Sequence, residues 1–143
     1  MKIRKNLDEW LQKLVEKIPV EMASVMFLQS ESEELEIFGS LGFSSPPEIV
    51  LPVGVGIAGL VIEKNAPEIV NNVAEDERFQ EDDHDTRQLL VFPLVGKEGR
   101  AVGVINLSNP LGETEFDEKH LAKIEEFLND NPIDYQHYIS GSS

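Results

Sequence analysis

The sequence predicts an α+β fold, a central antiparallel sheet with helices gathered on its faces. Three observations predict it. Apolar runs of strand length are joined by short polar turns, as in hairpins. Amphipathic helical patterns stand near both ends of the chain. No strand–helix–strand unit recurs, and strands grouped apart from helices define the α+β class.

Taken in order, Leu7, Trp10, Leu11, Leu14, Val15 and Ile18 recur at helical spacing between charged and amide residues. This is an amphipathic helix stopped by Pro19, with Asn6 placed to cap it. Its stripe has two uses, packing on its own sheet or on the equivalent helix of a second copy. Ala23 to Gln29 is too apolar for an exposed strand and reads as a central one. Ser30 to Glu34 is a polar hairpin loop. Leu35 to Leu41 alternates, with Leu35, Ile37, Gly39 and Leu41 on one face and Glu36, Phe38 and Ser40 on the other. Ser44-Ser45-Pro46-Pro47 marks an irregular loop.

The stretch Leu51 to Val61, Leu-Pro-Val-Gly-Val-Gly-Ile-Ala-Gly-Leu-Val, turns sharply at Gly54 and Gly56 and then begins a short helix. That helix cannot run far past Asn65, because Pro67 follows. Glu68 to Val70 is a short strand, and Ala74 to Arg87 an irregular acidic loop of the kind that often forms lids. Leu89 to Val95, a turn over Gly96 to Arg100, and Ala101 to Leu107 make a second hairpin. Phe116-Asp117-Glu118 opens a last helix, ended by Asn131-Pro132. Residues 1–130 are expected as one domain and 131–143 as a C-terminal tail, whose Ser140-Gly141-Ser142-Ser143 has linker composition.

Totals narrow the function classes. The chain has 143 residues, 41% hydrophobic and 27% charged, as expected of one globular domain. No run nears the ~18 apolar residues of a membrane span, so no membrane partner is expected and a cytoplasmic location is the default. Net charge is −15. Such a field repels phosphate backbones, so no nucleic-acid partner is expected. Between Glu75 and Arg87 stand seven acids against two arginines, which suits a solvated loop. There is no cysteine, hence no disulfide, thiolate metal site or thiol nucleophile.

Gly54, Gly56 and Gly59 spell the G-x-G-x-x-G of dinucleotide sites. That pattern needs a buried strand before it and a long crossover helix after it. Pro52 lies in the would-be strand and the helix is short, so a dinucleotide-dependent enzyme is a minor alternative.

From Leu7 to Leu128 the chain resembles the GAF domain family of small-molecule sensory modules. The resemblance is carried by Leu41-Gly42, Val53 to Val61, Ala66-Pro67-Glu68-Ile69-Val70, Asp76-Glu77-Arg78-Phe79, Leu90-Val91-Phe92-Pro93-Leu94, Val102 to Leu107, and Phe116. It implies a GAF-like, PAS-related antiparallel sheet of five to six strands. Terminal helices would lie on one face, with a short helix and long loop covering a ligand cavity on the other. By position, the residues implied at that ligand site are Phe38, Gly56, Ile57, Ala58, Val73, Phe79, Leu90 and Phe92. The implied function is a small-molecule-sensing regulatory module in signal transduction, with an unidentified ligand as partner and a homodimer formed through the terminal helices. A ligand-free dimerisation module is the alternative.

Members of that family that reduce methionine sulfoxide, or attach a bilin covalently, look to depend on cysteines absent here. Cyclic-nucleotide-binding members resemble a pattern to which Asn109, Phe116 and Asp117-Glu118 correspond in order, without the expected lysine or spacing. His84, among Glu81, Asp82, Asp83 and Asp85, is poorly placed to hold haem, and those acids lack the alternating spacing of a calcium loop. No cofactor, metal or catalytic constellation is expected, and the chain is read as no enzyme.

Overall fold

The computed structural model of the protein describes residues 6–43, 51–52, 56–78, 86–112 and 115–139. Six strands are present among them: β1 (Val20–Leu28), β2 (Glu34–Leu41), β3 (Leu51–Pro52), β4 (Glu68–Val70), β5 (Leu89–Val95) and β6 (Ala101–Pro110). They form one sheet in the order β3-β2-β1-β6-β5-β4, with every pairing antiparallel. The helices are α1 (Asp8–Lys17), α2 (Gly56–Lys64), α3 (Glu118–Asp130) and α4 (Gln136–Ile139), with a 3-10 turn at Val73–Glu75. The expected α+β, GAF-like architecture is the observed one.

Two hydrophobic layers sandwich the sheet. On one face Leu7, Trp10, Leu11, Leu14 and Ile18 of the α1 segment, and Ile124 and Phe127 of α3, pack on Val25, Phe27, Leu90, Phe92, Leu94, Ile105 and Leu107. The α1 stripe is thus spent on its own sheet. Trp10 meets Phe127 edge-on at 5.2 Å and donates its indole N–H to the Asn131 carbonyl at 3.0 Å. On the other face Ile57, Ala58, Val61 and Ile62 of α2 pack on Met26, Leu35, Val91 and Val104.

Residue 38 decides which side chains reach which face. Val25 pairs with Gly39 but Met26 pairs with Ile37, so Phe38 is one extra residue in β2. Such a bulge breaks the period-two alternation. Leu35 and Ile37 consequently join the α2 layer, whereas Leu41 packs in the α1 layer. The alternation expected across the whole of β2 is corrected on this ground. Gly39 then faces α1, where an added Cβ would stand 3.0 Å from the Leu7 carbonyl carbon. Backbone bonds tie α1 to this strand, since the Leu7 N–H reaches the Phe38 carbonyl and the Asp8 side chain accepts the Ser40 N–H.

Pro93 is tolerated within β5 because β4 pairs only with Leu89, Leu90 and Val91 and stops short of it. Part of the segment expected as a tail, residues 135–139, lies against the core. Tyr138 is buried against Phe27, and Gln29 donates from its side chain to the Tyr138 carbonyl at 2.8 Å.

Candidate functional site

The α2 face of the sheet is apolar at one end and polar at the other. Register aligns Met26 with Val104, and Val104 with Pro93, beneath the α2 layer. One row along, Ser24 pairs with Asn106 and Asn106 with Val91. In the next row Met22 pairs with Ser108 and Ser108 with Leu89. Side chains two residues apart on a strand share a face, so Ser24, Asn106 and Ser108 stand on the same side as Met26 and Val104. Ser24 and Ser108 are buried, at 6% and 7% exposure. The Asn106 amide donates to Ser24 Oγ at 3.2 Å.

This polar row is chemically distinct from the core beside it. Burying hydroxyl and amide groups costs free energy unless they are hydrogen-bonded, and among the described residues no buried side-chain polar atom lacks a partner. Together the three offer donors and acceptors to a small polar molecule. Sequence reasoning missed them. The available signal was polar Asn106 and Ser108 at alternate positions of an otherwise apolar strand, with Ser24 inside another.

The rim toward the acidic loop is held by charge. Arg78 grips Asp76 with two hydrogen bonds, Nε to Oδ1 at 3.0 Å and Nη2 to Oδ2 at 2.7 Å. Its remaining Nη1 meets Glu68 Oε1 of β4 at 3.0 Å. The Arg78 hydrogen bonds hold the Asp76 carboxyl below its ordinary range, and the two carboxylates keep the guanidinium protonated well beyond its own. At the other end of the loop, Asn109 Oδ1 accepts the backbone N–H groups of Arg87 and Gln88 at 2.8 and 3.0 Å. Arg87 also pairs with Glu21 at 2.8 Å.

The residues implied by position divide between the two faces. Ile57, Ala58 and Val73 lie together in the α2 layer, and Gly56 begins α2 with φ of 70°. Phe38, Leu90 and Phe92 pack in the α1 layer instead, Phe38 against Phe27 and Tyr138. Phe38 stands opposite in facing to its neighbour Ile37, and Leu90 and Phe92 likewise follow strand parity, with Leu89 and Val91 turned toward α2. Phe79 and His84 lie outside the described residues, as do Gly54 and the rest of 53–55. Open grooves of about 500 and 760 Å³ run beside the β5–β6 turn and α4, and none of the implied residues borders either.

Residues matched to a cyclic-nucleotide pattern have structural duties here. Asp117 caps α3, accepting the Lys119 N–H at 2.9 Å, while His120 Nδ1 accepts the Asp117 N–H at 2.9 Å. This reciprocal arrangement satisfies helix-end donors. The dinucleotide alternative falls with the topology. Its fingerprint requires a parallel β-α-β unit, and the sheet is antiparallel with α2 only nine residues long.

Comparison with known proteins agrees with this fold. The free methionine-R-sulfoxide reductase of Thermoplasma acidophilum is similar with a TM-score of 0.77 at 18% identity, over 94% of this chain and 93% of that one. The reductase of Neisseria meningitidis, solved with its substrate, gives 0.74 at 21% identity, over 86% and 71%. The GAF domain of a phosphoenolpyruvate-protein phosphotransferase from Coxiella burnetii gives 0.74 at 19%, over 86% and 76%. At these identities the likeness establishes the fold. It also corrects the expectation that the chain is no enzyme: enzymes are built on this fold, so an enzymatic role is open to it. In sequence, the cGMP-specific 3',5'-cyclic phosphodiesterase of Drosophila melanogaster is 30% identical over 91 residues, 59% of this chain. The match spans 8% of that protein's length. The pattern defining the GAF domain matches residues 4–130, and the chain therefore belongs to the GAF domain family.

Proposed function

We propose that this chain is a cytoplasmic sensory module that binds a small molecule on the α2 face of its sheet. The ligand would rest on Ser24, Asn106 and Ser108, walled by Gly56, Ile57, Ala58 and Val73, and the signal would leave through the opposite face. The observation that carries this reading is the polar row, with Ser24 and Ser108 buried, beside the apolar α2 layer. Met26 and Phe27 are adjacent in β1 yet serve the α2 and α1 layers respectively, so a displacement at the floor reaches the helices across one strand. Signalling requires the ligand to favour one arrangement of those helices over another.

A compound screen read by thermal shift tests the proposal, followed by amide mapping with ¹H–¹⁵N spectra. A ligand at 100 times its Kd stabilises the fold by about 2.7 kcal/mol. Asn106→Leu should abolish that gain while leaving the free protein folded. If no compound shifts the Ser24, Asn106 or Ser108 amides, the reading is lost. Pairing of two copies through the terminal helices would have to use the charged outer surfaces of α1 and α3, since the apolar stripe is already covered. Sedimentation velocity showing only monomer would remove that part.

A further inference from the structure

We infer that the α2-face site takes an uncharged or cationic small organic molecule and discriminates against phosphates and carboxylates. The inference rests on the site proposed above and specifies its ligand class. It follows from accounting for the nine lysines and arginines among the described residues. Lys13 and Lys17 belong to α1, and Lys119 and Lys123 to α3, both packed on the opposite face. Lys64 ends α2, at the opposite end of that helix from Gly56. Lys97 and Arg100 lie in the turn joining β5 and β6, at the far end of β6 from Asn106 and Ser108. Lys2, Arg4 and Lys5 precede α1 and lie outside the described residues. The segments 44–50, 53–55 and 79–85 contain no lysine or arginine at all.

Among the described residues that leaves Arg78 and Arg87, and carboxylates hold both. Arg78 is shared between Asp76 and Glu68, a group with one more negative than positive charge. Arg87 is engaged by both oxygens of Glu21, at 3.2 and 2.8 Å. The floor itself, Ser24, Asn106 and Ser108, is uncharged. The α2 N-terminus carries roughly half a positive charge, set against a chain of net charge −15. Oxygen acceptors on the floor under a negative field favour a ligand bearing a protonated amine, accept a neutral one and repel an anion.

The test uses the ¹⁵N-labelled full chain and a fragment set of matched triads, each an amine, an alcohol and a carboxylate on one scaffold, such as benzylamine, benzyl alcohol and benzoate. Guanosine and cyclic GMP are added as a neutral and anionic pair. Dissociation constants are read from the Ser24, Asn106 and Ser108 amides. Amines and neutral compounds should bind there at least roughly tenfold more tightly than their anionic partners, with the gap narrowing as salt screens the field. Anions binding these amides as tightly as their partners would overturn the inference and leave the site standing. No response at these amides to any charge class would remove the site, and the inference with it. A Glu68→Gln/Asp76→Asn variant frees the Arg78 charge and should strengthen anion binding severalfold; the single Glu68→Gln serves if the double variant is unfolded by circular dichroism. Unchanged anion affinity in the folded variant would also count against the inference.

Discussion

Tyr138 stacks on Phe27, with ring centroids 4.9 Å apart and planes inclined by 18°. Phe38 meets the same tyrosine edge-on at 5.4 Å. A residue almost at the end of the described chain thus completes the core over β1 and β2. Removing a buried aromatic ring leaves a cavity as well as losing transfer free energy. Tyr138→Ala should destabilise the domain by about 3 kcal/mol in urea unfolding, and Tyr138→Phe by much less. Loss of under about 0.5 kcal/mol for the alanine variant would show that the segment is not docked.

Both tyrosines of this segment have their phenol pKa raised by burial above the ordinary value of 10.0. A raised acid means that the folded state holds its proton more tightly than the unfolded chain. Stability from this source is complete below the ordinary value and is lost as pH climbs through the raised one. A Tyr135→Phe/Tyr138→Phe variant should therefore lose less stability between neutral pH and about pH 11 than the parent. Parallel pH profiles for the two proteins would contradict this.

Asp76 presents the opposite sign. Its pKa is lowered, chiefly by the side-chain hydrogen bond from Arg78, so its contribution is present above the ordinary value of 3.8 and disappears as pH falls through the lowered one. The ion pair is partly open to solvent, with the Arg78 side chain 34% exposed. Its worth is accordingly small, about 0.5–1 kcal/mol. Asp76→Asn should cost that amount at neutral pH and progressively less as the solution is acidified below the ordinary carboxylate range, measured by chemical denaturation across the series. A cost that stays constant on acidification would contradict the pairing.

Gly103 lies where β6 passes Phe27. An added Cβ would meet the Met26 carbonyl oxygen at 2.5 Å and a Phe27 ring carbon at 2.8 Å. The backbone oxygen cannot yield as a flexible side chain would. Gly103→Ala should cost about 3 kcal/mol by overpacking, and Gly39→Ala somewhat less, because part of its conflict is with the Leu11 side chain. Neutral behaviour of Gly103→Ala in thermal unfolding would disprove the close approach.

The α3 cap separates a structural role from a ligand role. Asp117→Ala should lower stability by about 1 kcal/mol through the lost cap, without altering the affinity of any ligand that shifts the Ser24 amide. A selective loss of ligand affinity would return Asp117 to the binding site.

Much of the architecture could be read from residue order. Helical spacing from Leu7 to Ile18, apolar runs separated by turns, and the stops at Pro19, Asn65 and Pro132 delimit elements through local propensity and backbone sterics. Those causes act within a few residues, so a chain of letters records them. Facing is different. One extra residue at Phe38 turns Leu35 and Ile37 away from the layer that holds Leu41, and only strand pairing reveals where a bulge falls. The polar row of Ser24, Asn106 and Ser108 is likewise assembled by register between β1 and β6, with Ser24 and Asn106 separated by 82 positions in the chain. The docking of Tyr138 depends on long-range packing that no local pattern encodes. Sequence alone determined the fold class and the main strands and helices; the tertiary structure decided which side chains meet, because contact across a sheet is set by pairing and not by proximity along the chain.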